Sequence, residues 1–165
     1  MALIVEDGSG VEDADAYISI VDADAYHLRY GNAAWSNFDD ETKEILIRKA
    51  TRDMDLLYEY VGEEVSPTQS LEWPRTTITG LPDQIAQGCA EMALIENSFD
   101  PVGPLSDASN VKSLEQQVGS LMKKTEYFNA GQSTEQSNLR KVNLLISSFT
   151  TSSSVSSMYS RVDRG

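Results

Sequence analysis

Four aspartates sit in two copies of one pentapeptide, Asp13-Ala14-Asp15-Ala16-Tyr17 and Asp22-Ala23-Asp24-Ala25-Tyr26. Carboxylates at alternate positions are what a hard cation such as calcium takes. The pattern stops there. An EF-hand loop needs a glycine at its sixth position and a distant glutamate, and neither copy supplies them. Asp7-Gly8-Ser9-Gly10 is only loosely loop-like. These acids read as helix N-terminal charges and a solvated face, so no metal and no other cofactor is expected.

Catalytic chemistry has little to work with. His27 is the single histidine, and no nucleophile elbow lies near it to complete a Ser-His-Asp or Cys-His arrangement. It reads as a surface or interface side chain. Cys89 falls on an apolar helical stripe, which predicts a buried, inert thiol. Gly8-Ser9-Gly10 lacks the following lysine of a phosphate-cradling loop. The expectation is a protein that is not an enzyme.

Bases are few and scattered: Arg48, Lys49, Arg52, Lys112, Lys123, Lys124, Arg140 and Lys141. Lys123-Lys124 beside Tyr127 and Phe128 is where cations and aromatic rings interleave as single-strand stacking requires. Trp73-Pro74-Arg75 is more distinctive. The proline holds the tryptophan in extended backbone as a rigid anchor, and Arg75 can then reach a carboxylate or a carbonyl cluster. Packing of Trp73 against a helix at 83–98 is favoured over a direct partner contact. The C-terminal stretch Met158-Tyr159-Ser160-Arg161-Val162-Asp163-Arg164-Gly165 has an aromatic and two guanidinium groups but no core to build, as a segment that folds on binding would.

The charge is uneven. The chain carries a formal −13. Residues 1–100 hold 21 acids and 6 bases, whereas residues 101–165 hold 5 acids and 7 bases. An acidic half repels phosphate and disfavours nucleic acid. A molecule acidic at one end and mildly basic at the other could stack against copies of itself or a partner. The 165 residues suit one domain with a core of its own, and one cysteine excludes an internal disulfide. No apolar run reaches the ~18 residues of a membrane span. The acidic N-terminal stretch is not a secretory signal, so a cytoplasmic origin is expected.

The elements that must position these residues read as a mainly α fold: a small bundle of about four helices with one β-hairpin and an extended C-terminal tail. Residues 2–5 form a short extended segment and 6–16 an acidic loop. Ser19 caps a first helix from Ile20, with Val21, Ala25 and Leu28 at apolar spacing and Gly31 closing it. Trp35 and Phe38 fold back onto the core from a connector. Asp39 or Asp40 caps a helix over about 41–60, whose wet face carries Glu41, Lys43, Glu44, Arg48, Arg52 and Asp55. The central core helix spans about 83–98, opened near Pro82. Strands at 111–118 and 121–128 meet at Gly119-Ser120, giving a hairpin near 111–128. Thr134 caps a last helix at about 135–149. The domain is thus 1–149, with 150–165 as a Ser/Thr-rich flexible tether and docking tail.

Several segments in order resemble a family of small tailed-bacteriophage proteins. They are Leu3-Ile4-Val5-Glu6-Asp7-Gly8-Ser9-Gly10-Val11, Ala14-Asp15-Ala16-Tyr17, Ala23-Asp24-Ala25-Tyr26, Gly31-Asn32-Ala33-Ala34-Trp35, Leu71-Glu72-Trp73-Pro74-Arg75-Thr76 and Arg164-Gly165. Members are labelled DnaT-like single-stranded DNA-binding proteins, and they also resemble head–tail connector, or adaptor, proteins. The connector resemblance implies a structural virion protein at the neck: a dodecameric ring below the portal, made in the bacterial host cytoplasm, joining the DNA-filled head to the next neck or tail completion protein. It implies a portal-docking tail made here of Met158, Tyr159, Arg161, Val162, Arg164 and Gly165, with Trp73, Pro74 and Arg75 as structural anchor. DNA would pass through the channel without specific binding. The alternative is a single-stranded DNA-binding replication accessory protein acting through Lys123, Lys124, Tyr127 and Phe128.

Overall fold

The structure is a computed structural model; it describes residues 2–98, 100–102 and 139–151 in full and the backbone of 114–118 and 121–125. It is mainly helical, with four helices. These are α1 (Ile20–Arg29), α2 (Asp40–Leu57), α3 (Asp83–Glu96) and α4 (139–146), and a short 3-10 turn at Trp35–Asn37 precedes α2.

The helix starts follow local chemistry. The Ser19 side chain accepts the Asp22 amide, and the Asp39 carboxylate accepts the Thr42 amide at 2.8 Å. Each satisfies one of the orphan donors of a first turn. Asp22, Asp40 and Glu41 add negative charge where the helix dipole favours it. Past the Tyr30 C-cap, Gly31 takes the left-handed conformation at φ +71° that a C′ residue needs. α2 ends at Leu57, because Tyr58 is already extended at ψ 133°.

The core lies between α2 and α3 and is closed by α4. Leu46, Ile47, Ala50 and Met54 of α2 meet Ile85, Cys89 and Met92 of α3, and Leu139, Val142 and Ile146 complete the layer. Gly88 makes the α3–α4 approach close: a Cβ there would stand 3.0 Å from Ile146 Cγ2. Leu3 and Val5 pack on the same core, and Val5 pairs with Ala16 as a parallel bridge. Thr150 pairs with Tyr60, and the Thr151 amide donates to Glu59 O at 2.9 Å, so the chain is still tied to the body there.

Three expectations about faces are overturned. On α1 the buried residues are Ala23 and His27, while Val21 and Leu28 are 75% and 85% exposed. On α2, Ile45 and Leu56 are exposed, whereas Lys43 is buried and Asp55 half-buried. Polar side chains lie inside because partners meet them there, as the next section shows. His27 is accordingly a core residue and not a surface one.

β1 (Leu114–Val118) and β2 (Leu121–Thr125) pair antiparallel, Leu114 opposite Thr125 and Val118 opposite Leu121. Their side chains, the Gly119-Ser120 link and the flanks lie outside the described residues, so the hairpin expected near 111–128 is not established. The helical body is the architecture established here. The proposed tail residues Met158, Tyr159, Arg161, Val162, Arg164 and Gly165 also lie outside the described residues, as do Tyr127, Phe128 and Thr134.

Candidate functional site

The Trp73 anchor is built into the body. The Trp73-Pro74 peptide is cis, which the sequence reading did not foresee. Trp73 is buried, and its ring meets Tyr60 and Phe149 edge-on, both with centroids at 5.7 Å. Those two rings supply its aromatic contacts, within the same core cluster as Ile85, Cys89 and Met92 of α3. The Arg75 guanidinium donates to Gly62 O at 2.8 Å, pairs with the Glu72 carboxylate and lies over the Tyr60 ring. Arg75 therefore reaches both a carboxylate and a carbonyl, as its position suggested, and both belong to its own chain.

Behind the anchor runs a chain of hydrogen bonds. The Trp73 amide donates to Tyr17 Oη at 3.2 Å, and the Tyr17 hydroxyl donates to Asp55 Oδ1 at 2.6 Å. The Glu72 amide donates to Asp55 Oδ2 at 3.3 Å. Burial pushes the Asp55 carboxyl up to about 7, against the pull of the Tyr17 hydroxyl and the Arg75 charge. Burial and Asp55 together keep the Tyr17 phenol protonated. Asp55 lines a cleft of about 480 Å³ with Asp15, Arg48, Arg52, Glu64 and Gln69.

The repeated pentapeptide now has a physical meaning. In each copy the first alanine, Ala14 or Ala23, is buried. In each copy the second aspartate pairs with a base of α2: Asp15 with Arg48 at 2.7 Å, Asp24 with Lys43 at 2.9 Å. In each copy the tyrosine hydroxyl donates to an acid of the core helices: Tyr17 to Asp55, Tyr26 to Glu91 at 3.0 Å. The two copies present the same contacts from unlike backbones, a loop and a helix. Asp15, Asp22 and Asp24 are occupied by the fold. Among the described residues no group of three or more His, Cys, Asp or Glu could hold a metal ion.

Sequence reasoning missed Glu6. It is buried, and its carboxylate accepts the amides of Gly8 at 2.8 Å, Gly10 at 3.0 Å and Val11 at 2.8 Å. One side chain thus folds the whole glycine loop around itself. The signal available was a glutamate directly before Asp-Gly-Ser-Gly; its burial had no signal.

A second cleft, of about 420 Å³, opens beside His27, with Asp24, Leu28, Asn32, Trp35 and Lys43 among its walls. The His27 ring stacks on Trp35 with centroids 4.5 Å apart, and Trp35 Nε1 donates to Asp24 at 2.6 Å. The Asn32 amide nitrogen, a donor, lies 3.0 Å from His27 Nδ1. Burial lowers the histidine's pKa, so the ring is neutral near pH 7. No serine or cysteine nucleophile meets the ring in these contacts. The Cys89 thiol is fully buried against Thr51 Oγ1 at 3.3 Å, and burial pushes it up to about 12.

Five of the described bases are held by acids. Besides Lys43 and Arg48, Arg52 pairs with Asp53 at 2.7 Å, Arg75 with Glu72, and Lys141 with Glu91 at 3.5 Å. No helix among the described residues is long and apolar enough to cross a membrane.

Fold and clefts define a small, acidic, mainly helical protein with an internally paired set of charges. Over its full length, residues 1–165, the chain matches the family described as "Putative DnaT-like ssDNA binding protein", and it belongs to that family. No curated protein and no solved structure matches it.

Proposed function

We propose that this chain is a non-enzymatic assembly subunit, a head–tail connector of a tailed bacteriophage. One observation carries the reading: the body's acids outnumber its bases, and five of those bases are paired internally. Asp15, Asp24, Asp53, Glu72 and Glu91 neutralise Arg48, Lys43, Arg52, Arg75 and Lys141. The surplus acid is left to face solvent, which repels a phosphate backbone and lets DNA pass rather than stick. The resemblance of the motifs' family to connector proteins supplies the particular assembly: a ring between the portal and the next neck protein. Residues 158–165 are then the portal-docking tail, with Arg161 and Arg164 as anchors. The test is deletion of residues 158–165. The shortened chain should fold and fail to complete portal-bearing heads; normal completion would refute tail docking.

The second reading is a single-stranded DNA-binding accessory protein, and the family's description supports it better than it supports the connector. It would work through the hairpin arm, with Lys123 and Lys124 as cations and Tyr127 and Phe128 as stacking rings. It predicts salt-sensitive binding of a labelled oligonucleotide. The connector reading predicts no binding at tens of micromolar protein in low salt.

A further inference from the structure

The outer face of α1 is apolar and uncovered within the described chain. Val21 and Leu28 are 75% and 85% exposed, Ala25 lies between them, and Leu28 leads into the 420 Å³ cleft beside Trp35. At about 100° per residue, Asp22 and Asp24 fall on either side of this stripe, Asp24 already paired with Lys43 and Asp22 exposed. The first turn of α2, with Asp40 one turn before the cleft residue Lys43, adds further acid nearby. Large apolar side chains framed by acids on a soluble protein mark a contact surface.

α4 has the complementary character. Leu144 is 67% exposed, Arg140 sits one turn earlier on the same face and is also exposed, and 139–146 contains no acid. α4 and the cleft are approached from different positions on α1. Tyr26 reaches Glu91, which also holds Lys141 of α4, while Asp24 lies at the cleft. These two α1 positions are about 160° apart around the helix. A chain with a net charge of −13 repels its own copies unless faces of opposite character meet.

We propose that α4 of one copy docks, through Leu144 and Arg140, on the α1 stripe and cleft of the next copy. Because donor and acceptor are two different surfaces of the chain, the contact is head-to-tail. It therefore propagates from copy to copy until a ring closes. This inference rests on the assembly reading and names the subunit contact within it.

Two variants test it: Leu28→Asp, which spoils the acceptor, and Leu144→Asp, which spoils the donor. Both sites are exposed, so the fold should stand, and circular dichroism checks that. Sedimentation of the full-length chain should show oligomers beyond a dimer. Each variant alone should lose at least about tenfold in association. Mixed in equal amounts, the two variants should form a dimer that grows no further, since one good donor meets one good acceptor. Variants that assemble like the unaltered chain would overturn this contact while leaving the assembly reading standing. A chain that stops at a symmetric dimer would overturn the head-to-tail geometry. A chain that stays monomeric at every concentration, also when presented with portal-bearing heads, would overturn contact and reading together.

Discussion

At the scale of single residues, this protein is held by polar side chains in places where apolar ones would be expected. Glu6 gathers three amides of its loop. Glu6→Ala strands those donors in a buried site, so it should cost at least about 2 kcal/mol in chemical denaturation. Asp55 gives a pH dependence. Its folded pKa, about 7, lies above the ordinary value of 3.8. The folded state therefore holds a proton that the unfolded state releases between those values. The Asp55 contribution is fully present below the unfolded pKa and is lost as pH rises through about 7. Glu96, raised by burial and by neighbouring Asp53, acts in the same direction. Thermal melts from pH 4 to pH 8 should show falling stability, and Asp55→Asn should flatten part of that slope. The residue types were legible in the sequence. Their burial was not, because it depends on partners distant in the chain: Tyr17 meets Asp55, and Tyr26 meets Glu91.

At the scale of elements, termini were easier to read than faces. The Ser19 and Asp39 caps and the Gly31 closure are set by neighbours within a few residues, so local sequence contains them. The facing of α1 is not local. Val21, Ala25 and Leu28 have helical spacing, yet the core takes Ala23 and His27, because Trp35 stacks on the histidine and Lys43 reaches Asp24. The visible stripe is real but points outward, with Val21 and Leu28 exposed. Loop packing makes a sharper prediction. Gly8 adopts φ +93°, and a Cβ there would stand 2.7 Å from the backbone of Gly80 and Leu81. Gly8→Ala therefore combines left-handed strain with a clash that no side-chain rotation relieves. It should destabilise the fold by more than about 1 kcal/mol in urea titration.

At the scale of the whole molecule, charge decides between partners. The acid-rich first hundred residues and the paired bases of the body make a poor surface for a polyanion, and the family's description points the other way. The two meet in the arm carrying Lys123 and Lys124. If the arm binds single strands, Lys123→Glu with Lys124→Glu should weaken the binding and reduce its salt slope; the assembly account expects no binding to weaken. Mainly helical class and central core helix were legible in the sequence, through apolar periodicity and Cys89 on its stripe. The cis Trp73-Pro74 peptide and the two clefts were not, because each depends on loops meeting across the fold. Locating the chain in purified, tail-bearing particles, by antibody labelling seen in the electron microscope, tests the central claim most directly. The account predicts label at the junction of head and tail. Particles free of the chain, with the protein left in the replicating host cell, would contradict it.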